Sequence, residues 1–138
     1  MAETSRLYFR QLLAGLDLAE EDPIAQQMVN FVYLIGDRET GEAVVVDPAY
    51  DAQAILDLVE ADGMKLVGAL GTHFHADHVG GNLWGHQIVG IAELLDLAQV
   101  PIHVQADEIP WVERTTGVTA SHLAGHASGD TVMVGEIP

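Results

Sequence analysis

The pattern that most constrains the fold is a strand, a helix and a second strand in succession between residues 42 and 70. Glu42 to Val46 contains three consecutive valines, which predicts a strand buried on both faces at the centre of a sheet. Asp51 to Ala61 has an apolar stripe of helical spacing, an N-capping aspartate, and Gly63 as its stop. Lys65 to Leu70 is a second apolar strand. This order predicts a right-handed βαβ unit whose two strands are parallel neighbours.

A cluster of metal-ligating side chains follows the second strand directly. Residues 72–81 have the sequence THFHADHVGG, which places three histidines and one aspartate within six positions. The cluster therefore lies on a loop at the carboxyl end of a strand, where open α/β sheets bind their ligands. Imidazole nitrogens and carboxylate oxygens are donors that zinc, iron and manganese accept. The sequence thus predicts a metal site on this loop.

The spacing within the loop indicates how the donors divide. In an extended loop, residues two apart point the same way, so His73 and His75 can converge on one metal. Asp77 and His78 are adjacent, diverge from that pair, and more naturally face a second metal. Two metals roughly 3.5–4 Å apart can hold a bridging hydroxide and polarise a carbonyl together.

Composition restricts the partners and the chemistry. The 138 residues have a formal net charge of −16, which would repel a phosphate backbone and gives no help in recruiting anionic lipids, so we expect neither nucleic acid nor membrane as a partner. The absence of cysteine excludes disulfides, thiolate metal sites and cysteine nucleophiles. The N-terminus lacks the apolar core of a signal peptide, and no run approaches the ~20 apolar residues of a membrane span. A cytoplasmic location is therefore expected.

The remaining patterns predict further elements of a single domain around this unit. Apolar, β-branched and aromatic runs predict strands at Leu7–Leu13 (an edge strand), Asn30–Ile35, Pro101–Gln105 and Thr131–Val134. Apolar residues at helical spacing predict a helix within Ile88–Ala98. A helical turn is expected at Asp107–Arg114, with Trp111 packed inward.

The loop and the strands before it resemble the metallo-β-lactamase superfamily. The signature of that superfamily is T-H-x-H-x-D-H-x-G-G, and residues 72–81 match it at every fixed position. Residues 9–13, 30–35 and 43–48 are similar to the opening strands of its thioester-hydrolase branch, which includes hydroxyacylglutathione hydrolases and persulfide dioxygenases. The resemblance implies an α/β fold, half of an αββα sandwich, with a mixed sheet and helices on one face. Residues 1–138 are expected to form the N-terminal half of that domain, ending before its second metal motif.

The resemblance also implies a reaction and roles for the loop residues. The expected activity is hydrolysis of a thioester or similar ester bond in a small-molecule substrate by a metal-bound hydroxide, with one or two Zn²⁺ ions. His73 and His75 would hold the first metal, and Asp77 and His78 the second. Asp77 would also be the catalytic residue that orients the hydroxide and carries its proton.

Two alternatives to this hydrolase stay open. In a persulfide dioxygenase of the same branch, His73 and His75 would hold a single Fe²⁺ and the second site would be empty. The chain could instead be a catalytically inactive metal-binding fragment, because the third histidine of the first metal is expected beyond Pro138.

Several residues outside the loop are further candidates for the same site. Asp47 ends the first strand on the side of the histidine loop, where it would either support the metal ligands or form an Asp-Pro turn. His122 and His126 have the H-x-x-x-H spacing of the superfamily's second metal motif, but the two residues after His122 depart from it. Whether either histidine provides a third ligand stays open. His86 and His103 are expected to be surface or core histidines.

Overall fold

One mixed six-stranded sheet organises the computed structural model, which describes residues 5–138. The strands are β1 (Leu7–Leu13), β2 (Phe31–Asp37), β3 (Glu42–Val46), β4 (Lys65–Leu70), β5 (Gly81–Leu83), β6 (His86–Ile88), β7 (Ile102–Gln105) and β8 (Leu123–His126). The order in the large sheet is β1-β2-β3-β4-β7-β8, and β5 and β6 form a separate hairpin. The pairs β1–β2 and β2–β3 are antiparallel, whereas β3–β4, β4–β7 and β7–β8 are parallel. The α/β class and the edge position of β1 are thereby confirmed.

Short helices connect the strands. They are α1 (Pro23–Met28), α2 (Ala52–Ala61), α3 (Ala76–Val79), α4 (Ile91–Leu97) and α5 (Ile109–Thr116). A π-helical turn spans Ala14–Leu18, and single 3₁₀ turns span Ala106–Glu108 and Ala120–His122. Within residues 5–138, no helix has both the length and the apolar character needed to cross a membrane.

The predicted βαβ unit is confirmed. Strands β3 and β4 are parallel neighbours, with Val45 beside Ala69 and Val46 beside Leu70. The Asp51 carboxylate accepts a hydrogen bond from the Ala54 backbone N–H at 2.9 Å and so caps α2, as expected from its position before the apolar stripe. These local signals agree with one another, which explains why the unit could be predicted from a short stretch of sequence.

The helices cover one face of the sheet. Val45 of β3 belongs to the main core together with Ile55 and Val59 of α2 and Ile91 and Leu94 of α4, all of them almost fully buried. The opposite face is more open at the β1–β2 edge. There the Tyr33 ring lies between two half-exposed phenylalanines, with ring centroids 5.9 Å from Phe9 and 6.3 Å from Phe31.

The C-terminal segment, residues 127–137, crosses part of this second face. It leaves β8 at one edge of the sheet, and its Glu136 backbone N–H donates to Asp37 at the end of β2. On the way, Val132 lines a cavity together with Val46 of β3 and Leu70 of β4. The expectation of a strand at Thr131–Val134 is wrong, because the segment pairs with no strand of the described sheet and forms only a turn in which Val134 bridges Ile137.

One other expectation needs correction. Trp111 is half-exposed, and Val112 is the residue of α5 that faces the core, because one helical position turns a side chain by about 100°. The helix expected within Ile88–Ala98 is confirmed as Ile91–Leu97, and Ile88 lies before it, paired with Gly81 in the hairpin. Gly90, at the start of α4, lies so close to the Val79 carbonyl that an added Cβ would clash with its oxygen.

The Asp37 carboxylate fastens the C-terminal segment to the sheet. It is fully buried, receives two hydrogen bonds of 2.9 Å from the Arg6 guanidinium, and accepts the Glu136 N–H at 3.0 Å and the Glu39 N–H at 3.0 Å. The hydrogen bonds from Arg6 hold the pKa of Asp37 well below its usual range. A carboxylate with a depressed pKa stabilises the folded state at pH values above its unfolded-state pKa, and that stabilisation is lost as the pH falls.

We therefore expect Asp37→Asn to lower the thermal unfolding midpoint clearly at neutral pH, because it removes the charge that Arg6 and the two backbone amides require. The variant should also lose less stability than the unaltered chain when the pH falls through the acidic range. Thermal unfolding followed by circular dichroism at a series of pH values measures both effects. Glu39→Gln is the control, because Glu39 is an exposed partner of the same Arg6. An Asp37→Asn midpoint equal to that of the control would contradict this role.

Candidate metal centre

The centre is assembled where β3 and β4 end side by side. Asp47 comes directly after β3, and Thr72 comes after β4 with one residue between them. Because the two strands are parallel, both residues lie at the same edge of the sheet. The Asp47 carboxylate accepts two hydrogen bonds from Thr72, from its backbone N–H at 2.8 Å and from its hydroxyl at 2.6 Å. In return, the Asp47 N–H donates to the Leu70 carbonyl at 2.9 Å. These three bonds fix the start of the histidine loop.

A single helical turn then folds the loop back on itself. Helix α3 starts immediately after His75, and the His78 N–H donates to the His75 carbonyl at 2.9 Å. The ring centroid of His73 consequently lies 4.7 Å from that of His75 and 4.2 Å from that of His78. The loop is therefore extended only as far as His75, and the helical turn places His78 next to His73 as well.

Asp47 lies within this cluster. Donor atoms of Asp47, His73 and His78 all lie within 4.8 Å of one another, which makes these three residues a group able to hold a metal ion. The His78 Nδ1 atom is 2.9 Å from the Asp47 Oδ2 atom. From its position after β3, Asp47 was expected either to support the metal ligands or to form an Asp-Pro turn. In the structure it contacts both the loop backbone and a histidine ring.

Asp77 is positioned by Asn30, which lies outside the histidine loop. The Asn30 side-chain amide donates to the Asp77 carboxylate at 2.7 Å and to the Asp77 carbonyl at 3.0 Å. The Asp77 Oδ2 atom also lies 3.4 Å from His78 Nε2. Asn30 was not among the predicted site residues, because nothing in the local sequence of an asparagine before a strand indicates a contact with a residue 47 positions later.

Backbone strain surrounds the centre. Asp47 and Tyr50 adopt the left-handed region at φ values of 53° and 83°, although neither is glycine. Such conformations cost energy and concentrate at functional sites. Tyr50 is buried, and this burial, with the nearby charge of Asp77, raises the pKa of its hydroxyl to about 12.

The pKa values of His73 and His78 are shifted in opposite directions. Burial lowers the pKa of His73, and the neighbouring His78 and His75 lower it further. The hydrogen bond to Asp47 raises the pKa of His78. These effects favour the neutral imidazole of His73, the form that ligates metals. Imidazoles and carboxylates gathered in this way fit a zinc or iron ion by donor type.

The other candidate histidines lie apart from this cluster. His122 precedes β8, whereas the histidine loop follows β4, so His122 lies at the opposite edge of the parallel part of the sheet. His126 ends β8 on the same edge as the loop, and its Nε2 atom lies 2.9 Å from Nδ1 of His103. His103 was expected to be an ordinary surface or core histidine; this pairing depends on the register between β7 and β8. His86 is exposed on the hairpin.

A mixed sheet with a histidine and aspartate loop at its carboxyl edge defines an α/β domain with a candidate metal site. The sequence profile of the Metallo-beta-lactamase superfamily matches residues 26–138, and the chain belongs to that superfamily. The resemblance drawn from the THFHADHVGG loop is thereby confirmed.

Relatives within the superfamily include two kinds of enzyme. The chain is 35% identical over 133 residues to the mitochondrial persulfide dioxygenase ETHE1 of Mus musculus, covering 91% of this chain and 51% of that protein. It is 47% identical over 53 residues to the hydroxyacylglutathione hydrolase of a Synechococcus species, covering 38% of this chain and 20% of that protein. The chain thus spans about half the length, or less, of the curated relatives it matches.

Solved structures confirm the fold. A metallo-beta-lactamase from Staphylococcus aureus superposes with a TM-score of 0.66 at 22% identity, covering 96% of this chain and 33% of that one. ETHE1 from Myxococcus xanthus superposes with a TM-score of 0.59 at 25% identity, covering 94% of this chain and 44% of that one. The six-stranded sheet and its helices are therefore the part of the superfamily fold that this chain contains.

The opposite pKa shifts lead to a prediction for the metal-free protein. As the pH falls, His78 should take up its proton first, because Asp47 stabilises the charged ring, and His73 should follow at lower pH. A titration of the histidine ring resonances by NMR measures this order. Asp47→Asn should lower the pKa of His78, since burial then acts without the carboxylate. The assignment is wrong if His73 titrates at the higher pH.

Proposed function

We propose that this chain carries the metal-binding half of a hydrolase that cleaves a thioester or a similar ester bond. The observation that supports this most is the convergence of Asp47, His73 and His78, with His75 and Asp77 directly beside them. The similarity to hydroxyacylglutathione hydrolase supports the same reaction class.

The proposed ligands are His73 and His75 for one metal, and Asp77 and His78 for a second. When bound, Zn²⁺ or Fe²⁺ activates water and polarises the substrate carbonyl. The hydrogen bonds of the site determine which nitrogen each ring can offer to the metal. The His78 Nδ1–H donates to Asp47, which leaves Nε2 of His78 with its lone pair free.

Thr72 orients His73 in the same way. The Thr72 hydroxyl has a single hydrogen, which it donates in a hydrogen bond of 2.6 Å to the Asp47 carboxylate. Its oxygen can then only accept from Nδ1 of His73, which lies 2.9 Å away. His73 therefore also offers Nε2 as its ligating atom. Asp47 thus orients both rings, directly for His78 and through Thr72 for His73.

Asp77 is the proposed proton carrier. Its carboxylate lies in the wall of a cavity beside His75, and Asn30 holds it in place through the 2.7 Å hydrogen bond. A carboxylate fixed by one donor keeps a second oxygen lone pair available to accept a proton from an attacking water molecule. Asn30 is therefore proposed as its positioning residue.

A mononuclear iron dioxygenase is the second candidate function. In this alternative, His73 and His75 hold a single iron ion, and the site of Asp77 and His78 stays empty. The 35% identity with the persulfide dioxygenase ETHE1 of Mus musculus supports this alternative. Metal content separates the two functions, because two zinc ions favour the hydrolase and one iron ion favours the oxygenase.

Removing one proposed ligand should remove most of the bound metal. We expect His75→Ala protein to retain little zinc or iron after dialysis, measured by elemental analysis. Asp47→Ala should weaken binding by about 10- to 100-fold, because it leaves the ligands unoriented. His86→Ala is the matched control, since His86 is exposed on the hairpin. Unchanged metal content in His75→Ala would place the site elsewhere.

We further propose that residues 1–138 alone are not a competent hydrolase. A catalytic zinc usually has three protein ligands and one open position, whereas each proposed metal here has two proposed ligands, with Asp47 as the nearest additional donor. Purified residues 1–138 with excess zinc should therefore show negligible turnover of acyl thioesters. His122→Ala should change nothing, because His122 lies at the opposite edge of the sheet. Robust turnover that is lost in His122→Ala would overturn this proposal.

A further inference from the structure

An apolar cavity of about 410 Å³ opens directly beside the proposed metal centre. Phe74, Leu83 and Trp84 line its apolar side, and His75 and Asp77 line its polar side. Because His75 and Asp77 are proposed metal ligands, a molecule bound at the centre has this cavity as its immediate surroundings. Concave apolar sites with a few polar groups are typical of small-molecule binding.

Trp84 is an unusual residue for its position in this wall. It is 85% exposed at the tip of the β5–β6 hairpin, where Leu83 pairs with His86 across a two-residue turn. The turn residues Trp84 and Gly85 have φ values of 48° and 87°. Two-residue turns with positive φ at both positions strongly favour asparagine or aspartate followed by glycine. A large aromatic side chain in the first position therefore costs stability, and its indole ring gains little burial in return.

The rest of the cavity is held rigidly. Phe74 lies edge-on to His75, with ring centroids 4.9 Å apart, and against Trp111 at 5.6 Å. The Arg114 guanidinium covers the Trp111 ring at 4.9 Å. The hairpin packs so closely against α5 that a Cβ on Gly81 would clash with the Thr115 carbonyl oxygen. The strained, exposed Trp84 thus faces a wall that is already formed.

We propose that this cavity binds an alkyl or aryl group of the substrate, on the acyl or the thiol side of the scissile bond, and that Trp84 closes over it. This rests on the proposed function only in placing the scissile ester at the metal centre. The hydrocarbon group contacts Phe74, Leu83 and Trp84, and binding it requires no metal. Covering the exposed indole gives the apolar burial that the folded chain alone does not provide.

The two tryptophans of the chain allow a direct test. In Trp111→Phe, which preserves an aromatic ring against Phe74, the fluorescence comes from Trp84 alone. Two series of probes are added to chelator-treated protein. The acyl series consists of thioesters of N-acetylcysteamine with acetyl, butyryl, hexanoyl and phenylacetyl groups. The thiol series consists of S-acetyl thioesters of alkyl and aryl thiols. We expect a blue shift of Trp84 emission and protection from acrylamide quenching. In one of the two series, affinity should rise by up to about fourfold per added methylene.

A variant that suits the turn provides the second arm of the test. Trp84→Asn creates an Asn-Gly turn and should unfold at the same or a higher temperature than the unaltered chain, so that loss of binding cannot reflect loss of folding. Calorimetric titration should show its affinity for the hexanoyl and phenylacetyl probes falling at least tenfold, while the weak binding of the acetyl probe is unchanged. Trp84→Gly should behave in the same way.

The outcomes separate this inference from the proposed function. If Trp84 emission does not respond to either series, or if Trp84→Asn binds the long probes as well as the unaltered chain does, the inference is overturned, whatever the metal content. A chain-length-dependent response in a protein that binds no metal would support the cavity assignment and refute the metal centre. A response confined to the acyl series, or to the thiol series, identifies the side of the substrate that the cavity holds.

Discussion

The paired hydrogen bonds between Asp47 and Thr72 are the contact on which the proposed centre depends. They join the ends of two adjacent parallel strands, and they require Val46 and Leu70 to be in register. A shift of one residue would turn the Asp47 side chain to the other face of the sheet. The βαβ unit thus serves as the frame that brings a carboxylate and a histidine loop together, which is how open α/β sheets form sites at their carboxyl ends.

The same carboxylate controls the electrostatics of the centre. It attracts a proton to His78 and, through the Thr72 hydroxyl, orients the ring of His73. The hydrogen bond to Asp47 raises the pKa of His78, whereas burial lowers that of His73, although the two rings lie only 4.2 Å apart. A cation bound at Nε2 of His78 would displace the Nε2 proton of the protonated ring and leave the Nδ1–H on Asp47, so metal binding and proton release would be coupled at this site.

The chain accepts backbone strain around this centre. Asp47, Tyr50 and Trp84 all have positive φ values without being glycine, and each lies at or beside the proposed centre or its cavity. Proteins commonly give up some stability to hold a binding site in one arrangement. Away from the centre, hydrogen bonds to the buried Asp37 carboxylate link Arg6, the end of β2 and the C-terminal segment.

The sequence alone determined the features that rest on local signals. The β3-α2-β4 unit and the THFHADHVGG loop could be predicted because hydrophobic period, helix cap and ligand spacing all lie within about 40 consecutive residues. The tertiary structure decided the rest: the entry of Asp47 into the cluster, the bond from Asn30 to Asp77, and the pairing of His103 with His126. These contacts depend on strand register and packing between distant segments. Thr131–Val134 shows the limit, because β-forming residues make a strand only where a neighbouring strand is available to pair with them.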